Sequence, residues 1–383
     1  MGTELDTNQV SEAQLSSLIR QYMRKQGYRF SEDGLVLPSE EKKALRRVHA
    51  LAVQTAIAKA EPALRSYEPQ LLRYIANGDE VVPPLIQPKL LLVQPDTEYA
   101  RLFRYASLHW SIPVSNGYGR RLRFLIFDES NGKLIGLLGL ADPVFSLRAR
   151  DAWVGWSFEQ RKARLAHVMD AYVLGAVPPY SRLLMGKFIA MVATSFEIAE
   201  AFRNRYAGQR TVLNQRVLSG DLAMVTTMSA LGRSSLYNRV KFGNRPLLIR
   251  VGFTVGWGTF HFANGLYEQL LAFAQQHCEG TAKAEGWGGG KFRNRHEVVR
   301  KCLKQLGLPE HWLRHQVRRE IFVAPLARNT CEFLRGETEQ LDYWCGTMAE
   351  YFAFFRERWL LPRAARDESY KQFHREEWRL WQK

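Results

Sequence analysis

Between residues 122 and 191 the chain alternates apolar runs with polar breaks at the spacing of strands and helices. Residues 122–127 and 134–140 are two apolar runs of strand length. Asn131-Gly132 lies between them, a pair that accepts φ > 0 at both positions and so predicts a two-residue type I′ hairpin turn. Gly136 and Gly139 interrupt the second run, which places a bulge or a close backbone approach there. Residues 152–156 predict a third short strand. Residues 158–170 predict a helix with Ser157 as its N-cap. Residues 172–177 form a fourth apolar run, stopped by Pro178-Pro179. From Ser181 to Arg205 the apolar positions Leu183, Leu184, Phe188, Met191, Val192, Phe196 and Ile198 read as one helix.

The flanks carry different patterns. Upstream, Ser11 with Gln14 is a capping box that opens a helix ended by Gly27. A long amphipathic helix covers residues 40–60, and four prolines between Asp79 and Pro95 stiffen a connector around a short strand at 90–93. Residues 97–108 follow as a helix with Asp96 as its N-cap. Downstream, residues 223–228, 247–254 and 258–262 read as strands, residues 229–242 as a short helix and residues 262–277 as a longer one. Residues 281–294 form a glycine-rich loop. Helices are expected at 296–306 and 310–321, and a helical, aromatic-rich segment from Cys331 to the end. The fold class is therefore α+β: a central mixed sheet with an N-terminal helical region (1–95), a core (96–278) and a C-terminal basic, aromatic helical region (279–383).

The strand and helix order from Leu122 resembles the acyltransferase-like topology of the GCN5-related N-acetyltransferases. Ala230, Tyr237, Asn238 and Lys241-Phe242-Gly243 echo the helix ending of that family. Its coenzyme A loop is a glycine-rich turn whose free N–H groups meet phosphate. The matching turn here, residues 177–182, has no glycine and two prolines without an N–H. An acyl-type transferase is thus the weakest of the functional alternatives, and no cofactor is expected.

The string Ala-Arg-Asp-Ala-Trp-Val-Gly-Trp-Ser at 149–157, with Arg161 and Leu165, resembles the DruA family of the Druantia anti-phage defence system, over roughly residues 95–262. The resemblance implies phage defence, with other Druantia components, including a helicase, as partners. It does not by itself imply a chemistry.

Composition narrows the partners. The chain has 383 residues and carries 54 Lys and Arg against 38 Asp and Glu, a net charge of +16. Such an excess speaks of solubility and polyanion partners rather than of fold. Nucleic acid comes first, phage or displaced DNA in the setting of the resemblance, and an anionic membrane surface second. No run of 18 apolar residues exists, so no spanning helix is expected. The polar, acidic start of the chain excludes a secretory signal there. A cytoplasmic protein follows, with Cys278, Cys302, Cys331 and Cys345 as reduced thiols, because none is spaced for zinc.

The strongest chemical signal is the run from Lys291 to Arg328, with ten Lys or Arg against three acids. Lys291, Arg293, Arg295, Arg314 and Arg318 are its candidate phosphate contacts, Arg314 and Arg318 on one helix face. Arg182 and Lys187 are further candidates. Arg150-Asp151 reads either as an internal ion pair that pins a loop or as a site pair. Trp156 is a candidate base-stacking residue. Tyr237 is the one candidate nucleophile, for a DNA-nicking or nuclease activity related to mobile-element proteins. No metal site is expected, because no His/Asp cluster accompanies it. The leading expectation is a non-catalytic nucleic-acid-binding subunit, with the nicking enzyme as the alternative.

Overall fold

The computed structural model describes residues 11–37, 39–115, 119–210, 217–263, 265–281, 291–292 and 294–381. The chain divides into two compact units that interleave along the sequence. One contains Met1–Ala58, Ser111–Pro113 and Thr254–Arg319; the other contains Lys59–Trp110, Val114–Phe253 and Glu320–Lys383.

The second unit is built on a seven-stranded mixed sheet. Its strands are β1 (Pro88–Leu92), β2 (Arg121–Asp128), β3 (Lys133–Ala141), β4 (Val168–Ala176), β5 (Met224–Met228), β6 (Ile249–Phe253) and β7 (Glu320–Pro325). They lie in the order β6-β7-β5-β4-β3-β2-β1, and β4 with β5 is the parallel pair. The two apolar runs of the sequence are β2 and β3, and β3 is interior, between β2 and β4. Both expected glycine irregularities are present. The β2–β3 register slips between Ile126 and Phe127, opposite Gly136, and the β3–β4 register slips at Gly139–Leu140. At the second slip Gly139 faces Val173 and Leu140 faces Ala171, which leaves Tyr172 as the extra residue. A Cβ on Gly139 would stand 2.6 Å from the Tyr172 ring, so glycine is required there by space.

One sheet face packs Leu122, Phe124, Ile126, Leu138, Leu140, Met169, Phe322 and Ala324 against the helices Met185–Val192, Phe196–Tyr206 and Met348–Phe355. The other, beside β4, β5 and β7, packs Val168, Met224 and Val323 against Val154, Trp156, Phe333 and Leu334. Burial of these side chains stabilises the sheet by about 1.5–3 kcal/mol each before chain entropy is set against it. The C-terminal aromatics belong to the interior: Tyr351, Phe355, Tyr370, Phe373, Trp378 and Trp381 are buried.

Several local expectations are corrected. The hairpin closes through four residues, 129–132, with only Gly132 at positive φ (+70) and its N–H on the Asp128 carbonyl at 2.8 Å. Residues 152–156 are not a strand; Arg148–Val154 is a helix ended by Gly155 in the left-handed conformation. The helix expected at 158–170 stops at Arg164, and β4 begins at Val168. Residues 181–205 form a 3-10 turn and two helices broken at Ala193–Ser195. Residues 229–242 hold no helix beyond a 3-10 turn at Tyr237–Arg239, and Lys241–Phe242 pairs as a short strand with Arg245–Pro246, which removes the echo of the acetyltransferase helix. Residues 258–262 hold a 3-10 turn, Phe260–Phe262. The cap of the helix Glu98–Ser107 is Thr97 rather than Asp96. The largest correction is at 310–321. That stretch is a 3-10 turn, Glu310–Leu313, then irregular chain entering β7, so the tail supplies an interior strand of the sheet.

In the first unit the capped helix Glu12–Lys25 packs on the helix Leu266–His277, which packs on Arg295–Gln305. The capping box of Ser11 and Gln14 is present as read from sequence.

Candidate nucleic-acid interface

The candidate residues include an internal pin, three turned-in cations and a basic ribbon. Arg150 is wholly buried. Its Nε and Nη2 donate to Asp151 Oδ1 at 2.9 and 2.7 Å, and its Nη1 and Nη2 donate to the carbonyls of Val144 and Phe145 at 2.9 Å each. Asp151 also accepts from the Leu147 N–H (2.9 Å), Trp156 Nε1 (3.1 Å) and Arg161 Nη1 (2.9 Å). Burial lowers the Arg150 pKa and the adjoining carboxylate works against that. The pair is therefore the internal pin that one of the two sequence readings foresaw. It ties together the loop before the helix, the helix and the next turn. Trp156 is 8% exposed, packed against Val154 and Phe333 and bound to Asp151, so its faces are not open to a base.

Arg182 donates Nη1 to the Ser369 carbonyl at 2.6 Å and lies over Phe373 at 5.7 Å. Lys187 is buried with Nζ 4.6 Å from the Trp359 ring centre, and burial, then Arg239 and Arg358, holds its pKa below the ordinary value. Both cations are turned inward. Tyr237 is half-buried and meets Phe322 edge-on at 5.4 Å. Beside it, Asn238 Nδ2 and the Ser234 N–H donate to the buried Glu320 at 3.0 and 2.7 Å. Among the described residues no group of three His, Cys, Asp or Glu could hold a metal ion.

The basic tail is arranged differently from the helix pair the composition suggested. Residues 313–319 run beside 254–258 in the first unit as irregular chain, turned at Gln316, whose φ is +61 and across which the Val317 N–H bonds to the His315 carbonyl (2.8 Å). The Thr254 N–H bonds to the Arg319 carbonyl (2.8 Å), the Gln316 N–H to Gly256 (3.2 Å) and the Gly258 N–H to Leu313 (3.0 Å). Trp257 bridges antiparallel to Arg314. Along this ribbon Arg314, Gln316 and Arg318 are exposed, whereas His315 and Val317 are buried. Arg314 and Arg318 are both exposed, on irregular chain rather than on the helix face expected for them. Val255 and Trp257 are 77% and 40% exposed on the paired segment. The Arg314 guanidinium lies 5.9 Å from the Trp257 ring centre.

His296 and Arg300, on the helix Arg295–Gln305, complete this patch. Trp257 Nε1 donates to His296 Nε2. Burial, then Arg300, lowers the His296 pKa, which keeps the imidazole neutral and able to accept. Arg300 is exposed. Lys291 is exposed, with Nζ on the Gln275 carbonyl at 2.7 Å. Arg295 is turned inward: it stacks over Tyr267 at 4.0 Å, donates to the Phe262 carbonyl at 3.2 Å, and burial lowers its pKa. Arg293 and most of the glycine loop lie outside the described residues. Sequence reasoning missed Trp257, His296 and Arg300. No local pattern marked the ribbon: residues 314–318 read Arg-His-Gln-Val-Arg, with one apolar residue and neither a helical nor a strand period.

A sequence model described as Druantia protein DruA matches residues 39–336. The chain is also similar to the Druantia protein DruA of Escherichia coli (strain UMEA 4076-1), 36% identical over 363 residues that span 94% of this chain and 89% of that protein. No solved structure matches the chain.

Proposed function

The chain belongs to the Druantia protein DruA family, and we propose that it is a cytoplasmic anti-phage defence component that holds nucleic acid on the basic ribbon of its first unit, without a catalytic step of its own. The observation that carries this reading is the exposed Trp257 set beside Arg314, on a ribbon that also exposes Arg318, with Arg300 on the adjoining helix. Cations of this kind contact phosphates irrespective of sequence, and an exposed indole offers a face on which an unpaired base stacks. Phage or displaced DNA is the ligand, and other Druantia components, a helicase among them, receive it.

The absence of a catalytic step from the proposal rests on the candidates themselves. Both Asp151 oxygens already accept hydrogen bonds from Arg150, Arg161, Trp156 and the backbone, so the carboxylate has a structural task. The mixed sheet is, in this reading, an acyltransferase-like scaffold used without acyl chemistry, because the turn at 177–182 offers prolines where phosphate-binding N–H groups are needed.

Fluorescence anisotropy with labelled single- and double-stranded DNA, with and without Mg²⁺, and with cleavage scored on the same samples, tests the proposal. Reversing Arg300, Arg314 and Arg318 to Glu should weaken binding across sequences and flatten the salt dependence by about one unit per lost phosphate contact. Equal losses on reversing Arg104 and Arg366, exposed cations of the other unit, would remove the ribbon as the site. Turnover of DNA would replace the binding role with the nicking one.

A further inference from the structure

The Arg150–Asp151 pin holds an apolar loop in solvent. Arg150 donates to the carbonyls of Val144 and Phe145 at 2.9 Å each, and Asp151 takes the Leu147 N–H at 2.9 Å. The loop is fixed at three points, yet Val144 and Phe145 are 56% and 44% exposed. Phe158, at the start of the helix Phe158–Arg164, is 56% exposed. The rings of Phe145 and Phe158 meet edge to face, 5.7 Å apart at 70°. Arg161 reaches Asp151 at 2.9 Å, and its guanidinium lies 4.6 Å from the Phe145 ring centre and 5.6 Å from that of Phe158. All of these residues belong to the second unit.

A buried ion pair is a weak source of stability, and the bonds of this one fix apolar side chains in water rather than under cover. A held apolar patch rimmed by charge marks contact with another molecule. Aromatic side chains and arginine are the residues enriched at protein interfaces. Charge selects the partner. Arg150 and Arg161 share the one carboxylate of Asp151, which leaves a positive excess beneath the rings. Arg148 and Lys162 are exposed, Lys162 one turn beyond Phe158 on the same helix face. Residues 144–164 carry five Lys or Arg against two acids, Asp151 and Glu159. The rings do not suit a nucleic-acid strand: at 70° they give no parallel faces for successive bases, and the Arg161 guanidinium lies over Phe145. We propose that this patch docks a partner protein through a segment in which an apolar side chain is flanked by carboxylates. The apolar side chain seats against Val144, Phe145 and Phe158, and the carboxylates meet Arg148, Arg161 and Lys162. The surface is independent of the ribbon, so the two can fail separately.

Selection of a displayed library of random short peptides on the full chain tests this. Enriched peptides should carry an aromatic or aliphatic residue beside Asp or Glu. A labelled copy of the most enriched peptide, titrated by anisotropy, should bind at least about tenfold more weakly to F145S/F158S, because buried aromatic anchors dominate such contacts. It should bind at least about threefold more weakly to R148E/K162E, which sets like charge against the peptide. The F145S/F158S variant should keep its melting curve, since both side chains are exposed, and its ribbon-dependent binding of duplex DNA. The R300E/R314E/R318E variant should keep the peptide and lose the duplex. Enrichment of basic peptides or of none, unchanged peptide affinity in folded F145S/F158S, or loss of single-stranded DNA in place of the peptide in that variant would each overturn the proposal.

Discussion

Arg150 and Asp151 are consecutive in the chain, and their side chains close on each other at 2.7 Å with the guanidinium fully inside the protein. A charge in that position is tolerated because five hydrogen-bonded contacts surround it or its partner: two backbone carbonyls, the Leu147 N–H, Trp156 and Arg161. Removing one member leaves the other buried and unpaired. Asp151→Ala should cost about 3–5 kcal/mol, read as a fall in the urea midpoint. The double change R150M/D151A should cost less, because the buried Arg150 charge is no longer left unpaired and only the partly exposed Arg161 loses its partner. Equal losses in both variants would count against the pin.

Gly139 faces the extra residue of a bulge, and a Cβ there would meet the Tyr172 ring at 2.6 Å and Val173 Cγ1 at 2.8 Å. Gly139→Ala should destabilise by about 1–3 kcal/mol through overpacking. Combining it with Tyr172→Ala should recover part of that loss, giving a positive coupling in a double-mutant cycle. Simple additivity would place the strain elsewhere.

Acid should unfold the first unit through its histidines. His49 stacks on Phe260 at 4.2 Å, which meets His315 edge-on at 4.6 Å, and His261 lies 5.7 Å from His315. Burial, then Arg319 and His315, lowers the His49 pKa from 6.5 to about 3. Burial likewise takes His261 to about 3 and His315 to about 4. The folded state therefore holds fewer protons than the unfolded one below pH 6.5. The stability these groups contribute is complete above that pH and is lost as pH falls through about 4 to 3. Thermal melts from pH 7 to 4 should descend progressively, and His49→Phe should flatten the descent. A wild-type melt independent of pH in that range would contradict this account.

The indole and the guanidiniums of the ribbon should separate by strand type. Trp257→Ala should weaken single-stranded DNA by about 1–3 kcal/mol, the range for one stacked base, and duplex far less. Trp257→Phe should restore part of the difference. R314E/R318E should weaken both strand types and act on the salt slope. Identical losses for the two strand types in Trp257→Ala would assign the indole to folding or to general contact.

Tail thiols offer a simple check on packing. Cys302 is buried with Sγ on the Leu270 carbonyl at 3.1 Å, and burial pushes its pKa up to about 12. It should resist a thiol reagent at pH 8 in the folded protein and react on unfolding. Rapid labelling of Cys302 in native conditions would mean that the helix Arg295–Gln305 is not packed as described.

The sequence by itself determined what depends on neighbours in the chain. The apolar runs of β2 and β3 specify two strands because strands buried on both faces read as near-continuous apolar runs of strand length. The capping box at Ser11 and the N-cap at Ser157 specify helix starts because their bonds span three residues. The basic excess between Lys291 and Arg328 is also a property of the string alone. Tertiary structure decided the rest. Residues 320–325 are a strand because β5 and β6 present edges on either side of them, a partner that no local pattern reports. Arg150 and Asp151 are a pin because five donor and acceptor groups from residues 144–161 converge on them. Arg182, Lys187 and Arg295 look identical in sequence to Arg314 and Arg318. Only packing against Phe373, Trp359 and Tyr267 turns the first three inward, whereas the last two stay in solvent on the ribbon beside residues 254–258. Charge is written in the residue, but exposure is decided by what the rest of the chain brings against it.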